Sequence, residues 1–207
     1  ANPTISDAAG LAAVAKTAAD FNGLAGQTVT LDKDIALTGT VTPIGAGNNK
    51  NNLGKQAFID GAFKGTFDGG NHTISGIVLP REDYVGFFGS LYGATVKNLT
   101  LAVKEGTAGF ETEGGTADFC GGLVAGVSVK STIENVTTAA GTFKAQKAAA
   151  GIVGYAAGGT VLKDCVFPAA PAKRPALAYA ASCPEVRIRQ AWKPVPSPVL
   201  HQAPENE

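Results

Sequence analysis

The sequence predicts an all-β fold of the β-solenoid type, in which short strands stack coil on coil. The first observation is a repeated unit, seen most fully in residues 86–101, GFFGSLYGATVKNLTL. The second is that copies start at residues 65, 86, 122 and 151, with variable gaps that fit loops inserted into a coil. The third is composition: charged residues are only 16% of the 207 residues and glycine contributes 27, which suits tightly coiled β-structure.

The second half of each copy predicts a corner between two short strands. Val96 and Leu99 are both apolar but three residues apart, whereas a straight strand places residues two apart on one face. Both can face one core only if the chain bends between them, and Gly, Asn and Asp tolerate the left-handed backbone of such a bend. We therefore expect equivalent corner positions in successive coils at Gly76, Asn98, Asn135 and Asp164.

The first half of each copy reads Gly-apolar-apolar-Gly or Ala, as in residues 86–89. Small residues at both ends would let backbone pass close to backbone, while the apolar pair fills the coil. The alternative is a Gly-rich hairpin protein, either a sandwich or a barrel. The inward and outward positions also give a mutational expectation: Leu99→Asp should unfold the domain, and Lys97→Asp should be tolerated.

The motif resembles the GLUG repeat, named for Gly-Leu-any-Gly, of bacterial surface proteins and of proteins that carry immunoglobulin-A1-cleaving metallopeptidases. Residues 43–45, PIG, and 63–74, FKGTFDGGNHTI, resemble the usual lead-in, and the similarity covers roughly residues 5–167. Ala125 replaces the second glycine in one copy and Asp68 replaces it in the earliest copy. The resemblance implies a right-handed parallel β-helix at the cell surface and does not imply catalysis.

Residues 1–26 are predicted to form an N-terminal cap helix. Ser6 is the expected N-cap, and the apolar residues at helical spacing within residues 5–21 are Leu11, Val14, Ala18 and Phe21. A solenoid exposes the apolar end of its first coil, and a helix can cover that end. The alternative is a free-standing interaction helix.

Residues 27–167 are the predicted repeat domain, interrupted by two polar segments. Residues 45–56 read as a turn-rich loop, for which ligand or ion binding is the alternative to a solvated loop. Residues 102–119 read as an acidic loop insertion projecting from one coil. Its acidity could attract a cation, but the D-x-D-x-D-G pattern of a calcium loop is absent from the sequence.

Residues 168–207 are predicted to be a Pro-rich tail or terminal cover. No glycine follows Gly159, and eight of the eleven prolines lie from Pro168 onward. Such a segment lacks the repeat pattern and a core of its own. One hypothesis is that it is not native to the repeat domain, for example through a shifted reading frame; the alternative is a linker to another domain.

The sequence predicts no catalytic residue, cofactor site or metal site. HExxH and GxSxG motifs are absent from the sequence. His72 could serve as a base beside Asp68, but the intervening Gly-Gly-Asn favours a turn. A carbohydrate-active β-helix enzyme needs paired carboxylates, and no spacing singles out a pair among Asp60, Asp68, Glu82, Asp83 and Glu134.

The sequence contains matches to the pattern for N-linked glycosylation. The glycosylation pattern Asn-x-Thr occurs at Asn71, Asn98 and Asn135, although the corner positions already explain Asn98 and Asn135.

The three cysteines, Cys120, Cys165 and Cys183, have no metal-ligand spacing. Cys165 holds an apolar position and is predicted to be a buried small residue, with a Cys120–Cys165 disulfide as the alternative in an oxidising compartment.

The charge balance, with 17 basic and 17 acidic residues, predicts no nucleic-acid partner. No apolar run approaches the roughly 20 residues of a membrane span, so membrane insertion is not expected. The predicted function is a non-catalytic repeat module of a larger secreted or cell-surface bacterial protein, an adhesin or ligand-presenting segment whose partner is an unknown host protein or glycan. The alternatives are a carbohydrate-active parallel β-helix enzyme, a lyase or glycosidase, and a passive spacer beside a peptidase domain.

Overall fold

A computed structural model describes residues 2–45, 56–80, 82–104, 110–111, 120–138, 143–144, 148–166 and 183–187. The architecture is mainly parallel β-sheet with few helices, which agrees with the predicted all-β class. The described helices are α1 (Ala8–Asp20) and α2 (Gln56–Gly61), with a 3₁₀ turn at Asn22–Leu24. The strands before the repeats are β1 (Thr4–Ile5), β2 (Thr28–Leu31), β3 (Ile35–Ala36) and β4 (Thr66–Ile77).

The remaining strands follow the repeats. The first repeat contains β5 (Tyr84–Val85), β6 (Phe88–Tyr92) and β7 (Thr95–Val103), and β8 (Phe110–Glu111) follows it. The second contains β9 (Cys120–Gly122), β10 (Ala125–Val129) and β11 (Thr132–Thr138), and β12 (Phe143–Lys144) follows it. The third contains β13 (Ala148–Ala150), β14 (Val153–Ala157) and β15 (Val161–Cys165), and the last described strand is β16 (Cys183–Arg187).

Each of the three repeats adds one strand to each of three sheets. The strands of successive repeats pair in parallel, in the orders β5-β9-β13, β6-β10-β14 and β7-β11-β15. The last of these sheets has eight strands among the described residues and runs β1-β2-β4-β7-β11-β15-β16, with β3 also on β4. Hairpins would pair consecutive strands antiparallel; the antiparallel pair in the described part of the chain is β15 with β16.

The N-terminal helix begins one residue later than predicted. Asp7 is the N-cap, because its carboxylate accepts a hydrogen bond from the Gly10 N–H at 2.7 Å. Ser6 instead donates its hydroxyl to Asp32 at 2.9 Å. Ile5 belongs to strand β1, where it pairs with Leu31, and not to the helix.

The buried face of α1 joins the main apolar core. This face consists of Leu11, Val14, Ala15 and Ala18. Phe21 was predicted on the same face, but 65% of it is exposed because the helix ends at Asp20 and the backbone of Phe21 leaves the helical conformation. The helix therefore packs on the core beside β1, the first strand of the large sheet.

Three of the four predicted corner residues occupy equivalent positions. Asn98, Asn135 and Asp164 all have left-handed backbone, with φ of 52°, 51° and 49°. Strand pairing aligns the residues that flank them in β7, β11 and β15. The bend between Val96 and Leu99 lets both side chains be buried, as the sequence predicted.

Gly76 is not at the corner, and this prediction was wrong. Ile74 pairs with Leu101 and Ile77 with Val103, which places Gly76 well past the bend. The corner of strand β4 is Asn71, with φ of 63°, because β4 bulges between Asp68 and His72. Gly76, with φ of 72°, serves another purpose, since a side chain there would collide with the carbonyl oxygen of Leu37.

Two repeat starts also differ from the sequence interpretation. Ala150 pairs with Gly122, so the third repeat begins one residue before Gly151. Thr66 pairs with Thr95, so the segment from Gly65 corresponds to the second half of the next repeat. Insertions therefore change the alignment of the copies, although the corner pattern survives.

The apolar core is centred on aromatic rings. The ring centroids of Phe63, Phe67 and Phe87 each lie 5.3–5.4 Å from that of Phe88, and all four rings are fully buried. Each such buried side chain stabilises the fold by about 1.5–3 kcal/mol. A second apolar cluster forms around Phe58 of α2. No helix in the described ranges is long and apolar enough to cross a membrane.

Candidate functional site

The corner ladder is the row of side chains at the bends of four successive strands: Asn71, Asn98, Asn135 and Asp164. The Asn135 amide donates to Oδ1 of Asn98 at 2.9 Å and to Oδ1 of Asn71 at 3.4 Å. Asn71 and Asn135 are exposed, and Asn98 is half-buried. The three asparagines thus link neighbouring strands through side chains of residues that tolerate the left-handed backbone of the bend.

A charge row lies immediately before the ladder. Strand pairing aligns Asp68, Lys97, Glu134 and Lys163 in neighbouring strands. The charges alternate in sign, and Nζ of Lys97 lies 3.3 Å from Oδ2 of Asp68. Opposite charges on neighbouring strands attract, whereas identical repeats would stack like charges. The charge row is therefore a balanced polar surface.

A threonine row lies immediately after the ladder. Thr73, Thr100 and Thr137 are aligned in β4, β7 and β11, and all are half-buried. Their neighbour Leu101 is fully buried, so the hydroxyl row lies on the outer face of the sheet. We call the charge row, the corner ladder and the threonine row together the polar strip. Its side chains repeat at the strand spacing of about 4.8 Å.

The carboxylate of Asp68 in the polar strip accepts two hydrogen bonds. It accepts hydrogen bonds from the Gly70 N–H at 3.0 Å and from the Asn98 amide at 3.1 Å. Burial opposes its ionisation, but these bonds and the ammonium of Lys97 outweigh burial and lower the pKa of Asp68. Asp68 is therefore held ionised beside the ladder.

Asp68→Asn is expected to destabilise the protein at neutral pH and to lose this effect in acid. The folded-state pKa of Asp68 lies below its ordinary value, so its stabilisation is present above about pH 4 and disappears as the pH falls through the lowered pKa. We expect the free energy of unfolding to fall by about 1–2 kcal/mol at pH 7. Urea denaturation at pH 7 and near pH 2 measures it.

The matched control is Asp20→Asn, which removes a carboxylate bonded to Lys16 on the exposed surface of α1. Such exposed pairs contribute about 0–1 kcal/mol. A difference between Asp68→Asn and wild type that stayed constant from neutral to acid pH would contradict the role assigned to the ionised carboxylate.

Asn98→Val is expected to destabilise the fold more than Asn98→Gly. Both variants lose the bonds to Asp68 and Asn135, worth about 0.5–1.5 kcal/mol each. Valine must also adopt the left-handed backbone, which costs a further 1–2 kcal/mol or so, whereas glycine adopts it freely. Thermal melting followed by circular dichroism ranks the variants, and equal melting temperatures would contradict the corner assignment.

His72 faces a carboxylate that the sequence did not single out. Nδ1 of His72 lies 3.3 Å from Oδ1 of Asp34, which also accepts the Thr73 N–H at 2.8 Å. The Thr73 bond, assisted by His72, lowers the pKa of Asp34. The structure therefore pairs His72 with Asp34 and not with Asp68, which was the alternative to a turn at this position. Asp34 precedes His72 by 38 positions, so no local sequence signal connects the two residues.

The carboxylates considered for catalysis are dispersed. Asp60 lies on α2 and accepts a bond from Gln56 at 2.7 Å, while Glu82 and Asp83 precede β5. Asp68 and Glu134 share the charge row but are separated by Lys97. Burial raises the pKa of Glu82. No group of three or more His, Cys, Asp and Glu side chains in the described part of the chain could hold a metal ion.

The structure bears on the predicted burial of Cys165 and on the alternative Cys120–Cys165 disulfide. Cys165 is 2% exposed, which confirms its assignment to a buried apolar position. Cys120 belongs to β9, in the sheet with β5 and β13, whereas Cys165 belongs to the sheet of β11. Strand pairing therefore does not bring Cys120 opposite Cys165.

Most of the predicted loops and tail lie outside the described residues. This applies to residues 46–55 of the turn-rich loop, and to residues 105–109 and 112–119 of the acidic insertion. In the segment 168–207 the structure describes residues 183–187, which form β16 on the outer edge of β15.

Comparison with known proteins found a similarity to part of a much longer protein. The chain is 38% identical over 108 residues to halomucin of Haloquadratum walsbyi, a large surface protein. The match covers 51% of this chain and 1% of halomucin, so the chain spans a very small part of that relative's length. No protein-family model matches the chain, and no solved structure matches it. Similarity to a surface protein is compatible with a surface or extracellular location, while the GLUG resemblance stays a prediction.

Proposed function

We propose that this chain is a right-handed parallel β-helix of GLUG-type repeats that serves as a non-catalytic binding module of a larger secreted or cell-surface protein. The parallel sheets to which each repeat adds one strand support the β-helix, as do the aligned bends at Asn98, Asn135 and Asp164. The right hand follows the general preference of parallel crossover connections. The similarity to halomucin supports the surface location.

The polar strip is the observation that carries the binding function. It offers hydroxyl, amide and paired charged groups in aligned rows on the outer face of a sheet whose inner face is mainly apolar. A rigid array of donors and acceptors suits a polyhydroxylated ligand such as a glycan, or a polar protein surface. Its alternating charges, as in Lys97 and Glu134, favour local hydrogen bonding over long-range attraction of a polyanion.

Binding of the full chain to a glycan array and to extracellular-matrix proteins tests this function. The strip variant combines Thr100→Ala, Glu134→Gln and Lys163→Gln, which change the outer face and leave the apolar core intact. The control combines Lys16→Gln and Asp20→Asn on the exposed surface of α1. We expect the strip variant to bind a captured probe at least about tenfold more weakly, a change of about 1.4 kcal/mol, with the control unchanged.

The same experiment separates the alternatives. A strip variant that binds like wild type, at an unchanged melting temperature, would remove the polar strip as the binding surface. Failure of the wild-type chain to bind any probe would favour a passive spacer. Depolymerisation of a polysaccharide, lost in Glu82→Gln, would favour a lyase or glycosidase, since the raised pKa of Glu82 suits a general acid.

A further inference from the structure

The C-terminal strand β16 places one cysteine opposite another. β16 runs antiparallel to β15, and the aligned pairs are Val161 with Arg187, Leu162 with Val186, Lys163 with Glu185, and Cys165 with Cys183. The pairing keeps one register from end to end. The opposition of Cys165 and Cys183 is therefore a property of the whole strand pair and not of a single contact.

This register satisfies the distance requirement of a disulfide. Directly opposed residues of an antiparallel pair have Cα atoms about 4.5 or 5.5 Å apart, depending on the hydrogen-bonding pattern. A disulfide spans Cα separations of about 4.4–6.8 Å. Both spacings fall within this range, so the separation of the paired backbones is compatible with the bond. We propose that Cys165 and Cys183 form a disulfide that fastens β16 to the edge of the large sheet.

The Cys165 thiol lies in a buried, hydrogen-bonded environment. Its Sγ donates to the carbonyl oxygens of Lys163 at 3.3 Å and of Ile133 at 3.4 Å. Burial raises the pKa of the Cys165 thiol, which disfavours the thiolate needed for exchange. The bond therefore forms while β16 is detached or during folding, and it is protected from reduction once the strand is paired.

The oxidation needs a disulfide oxidant, of which oxidised glutathione is the simplest. The Cys183 thiolate attacks one glutathione sulfur, which forms a mixed disulfide and releases the first reduced glutathione. The Cys165 thiolate then attacks Sγ of Cys183 and releases the second. The two cysteines together lose two electrons and two protons, and glutathione disulfide gains them. A surface or extracellular location supplies the oxidising conditions under which such a bond persists.

The bond has a structural consequence that is independent of the proposed binding function. β15 ends the row of parallel strands, and β16 covers the edge that β15 would otherwise present to another chain. Exposed sheet edges promote association between molecules. In the oxidised protein the covering strand is held covalently, whereas in the reduced protein it is held only by strand pairing.

The test uses the full chain, refolded at low concentration with oxidised and reduced glutathione, and counts free thiols in denaturant. The chain has three cysteines, so we expect wild type to keep one free thiol and Cys120→Ser to keep none. Cys183→Ser should keep both of its remaining thiols, and this variant leaves the buried Cys165 in place. Proteolysis without reduction, followed by mass spectrometry, should recover a peptide pair that contains Cys165 and Cys183.

Three results would overturn the proposal: three free thiols in oxidised wild type, a linkage through Cys120, or a disulfide-bonded dimer at low concentration. The melting temperature provides a second measurement. Oxidation should raise the melting temperature of wild type and of Cys120→Ser by several degrees. Cys183→Ser should melt at the same temperature with and without oxidant, and a rise there would contradict the assignment.

Discussion

Leu99→Asp is expected to leave the repeat domain unfolded at room temperature and neutral pH. Leu99 is 2% exposed and pairs with Val136 of β11 just after the corner. Removing a buried leucine costs about 2–5 kcal/mol, and burying an unpaired carboxylate in its place costs several more. The sum is comparable to the 5–15 kcal/mol or so that stabilises a typical domain. Circular dichroism spectra should lose the strand signal.

The matched control is Lys97→Gln, two residues away on the outer face of the same strand. Lys97 pairs with Asp68 at a partly exposed site, so its loss should cost no more than about 1 kcal/mol. The structure revises the expectation for Lys97→Asp, because an aspartate there would lie between Asp68 and Glu134. That variant should fold with reduced stability. A Leu99→Asp protein that melts within a few degrees of Lys97→Gln would contradict the assignment of inward and outward faces.

Gly122→Val is expected to lower the stability of the fold by the second largest amount. A Cβ atom at Gly122 would lie 2.6 Å from backbone atoms of Ala125, Ile152 and Gly154, which is closer than real Cβ contacts. Backbone cannot rotate away as a side chain can, so the neighbouring backbone segments must separate to admit the new atoms. Overpacking typically costs about 1–3 kcal/mol, and a branched side chain between two backbones should reach or exceed the upper end. Urea denaturation gives the difference in unfolding free energy.

Gly39→Ala is the control for the loss of glycine itself. No atom lies within 4 Å of a Cβ built on Gly39, and its φ lies outside the left-handed region that disfavours a side chain. Alanine there should be neutral or slightly stabilising, since it reduces the freedom of the unfolded chain. Equal effects of the two substitutions would show that close backbone approach is not what requires Gly122.

The charge row illustrates how a stacked repeat avoids repelling itself. In aligned parallel strands each outward position faces the same position of the next copy, so an exact repeat would place lysine beside lysine. Here the position alternates through Asp68, Lys97, Glu134 and Lys163. The copies therefore differ in charge at a position where identical charges would repel. At the corner they all have Asn or Asp with left-handed backbone.

Local backbone chemistry made much of the fold predictable. A left-handed bend favours Asn, Asp or Gly, and a bend between Val96 and Leu99 follows from their spacing alone; both features are confirmed. The parallel stacking of copies was also predictable, because none of the copies can bury its apolar face alone. The helix within residues 5–21 was predicted by its apolar spacing, apart from its N-cap and Phe21.

Register between distant segments was decided only by the tertiary structure. The bulge in β4 moved the corner from Gly76 to Asn71, and stacking brought Asp34 to His72 and Cys183 opposite Cys165. Asp34 and His72 are 38 positions apart, and Cys165 and Cys183 are 18 positions apart. The physical reason is that a backbone bend depends on one residue and its neighbours, whereas alignment across strands depends on every insertion and bulge that lies between them.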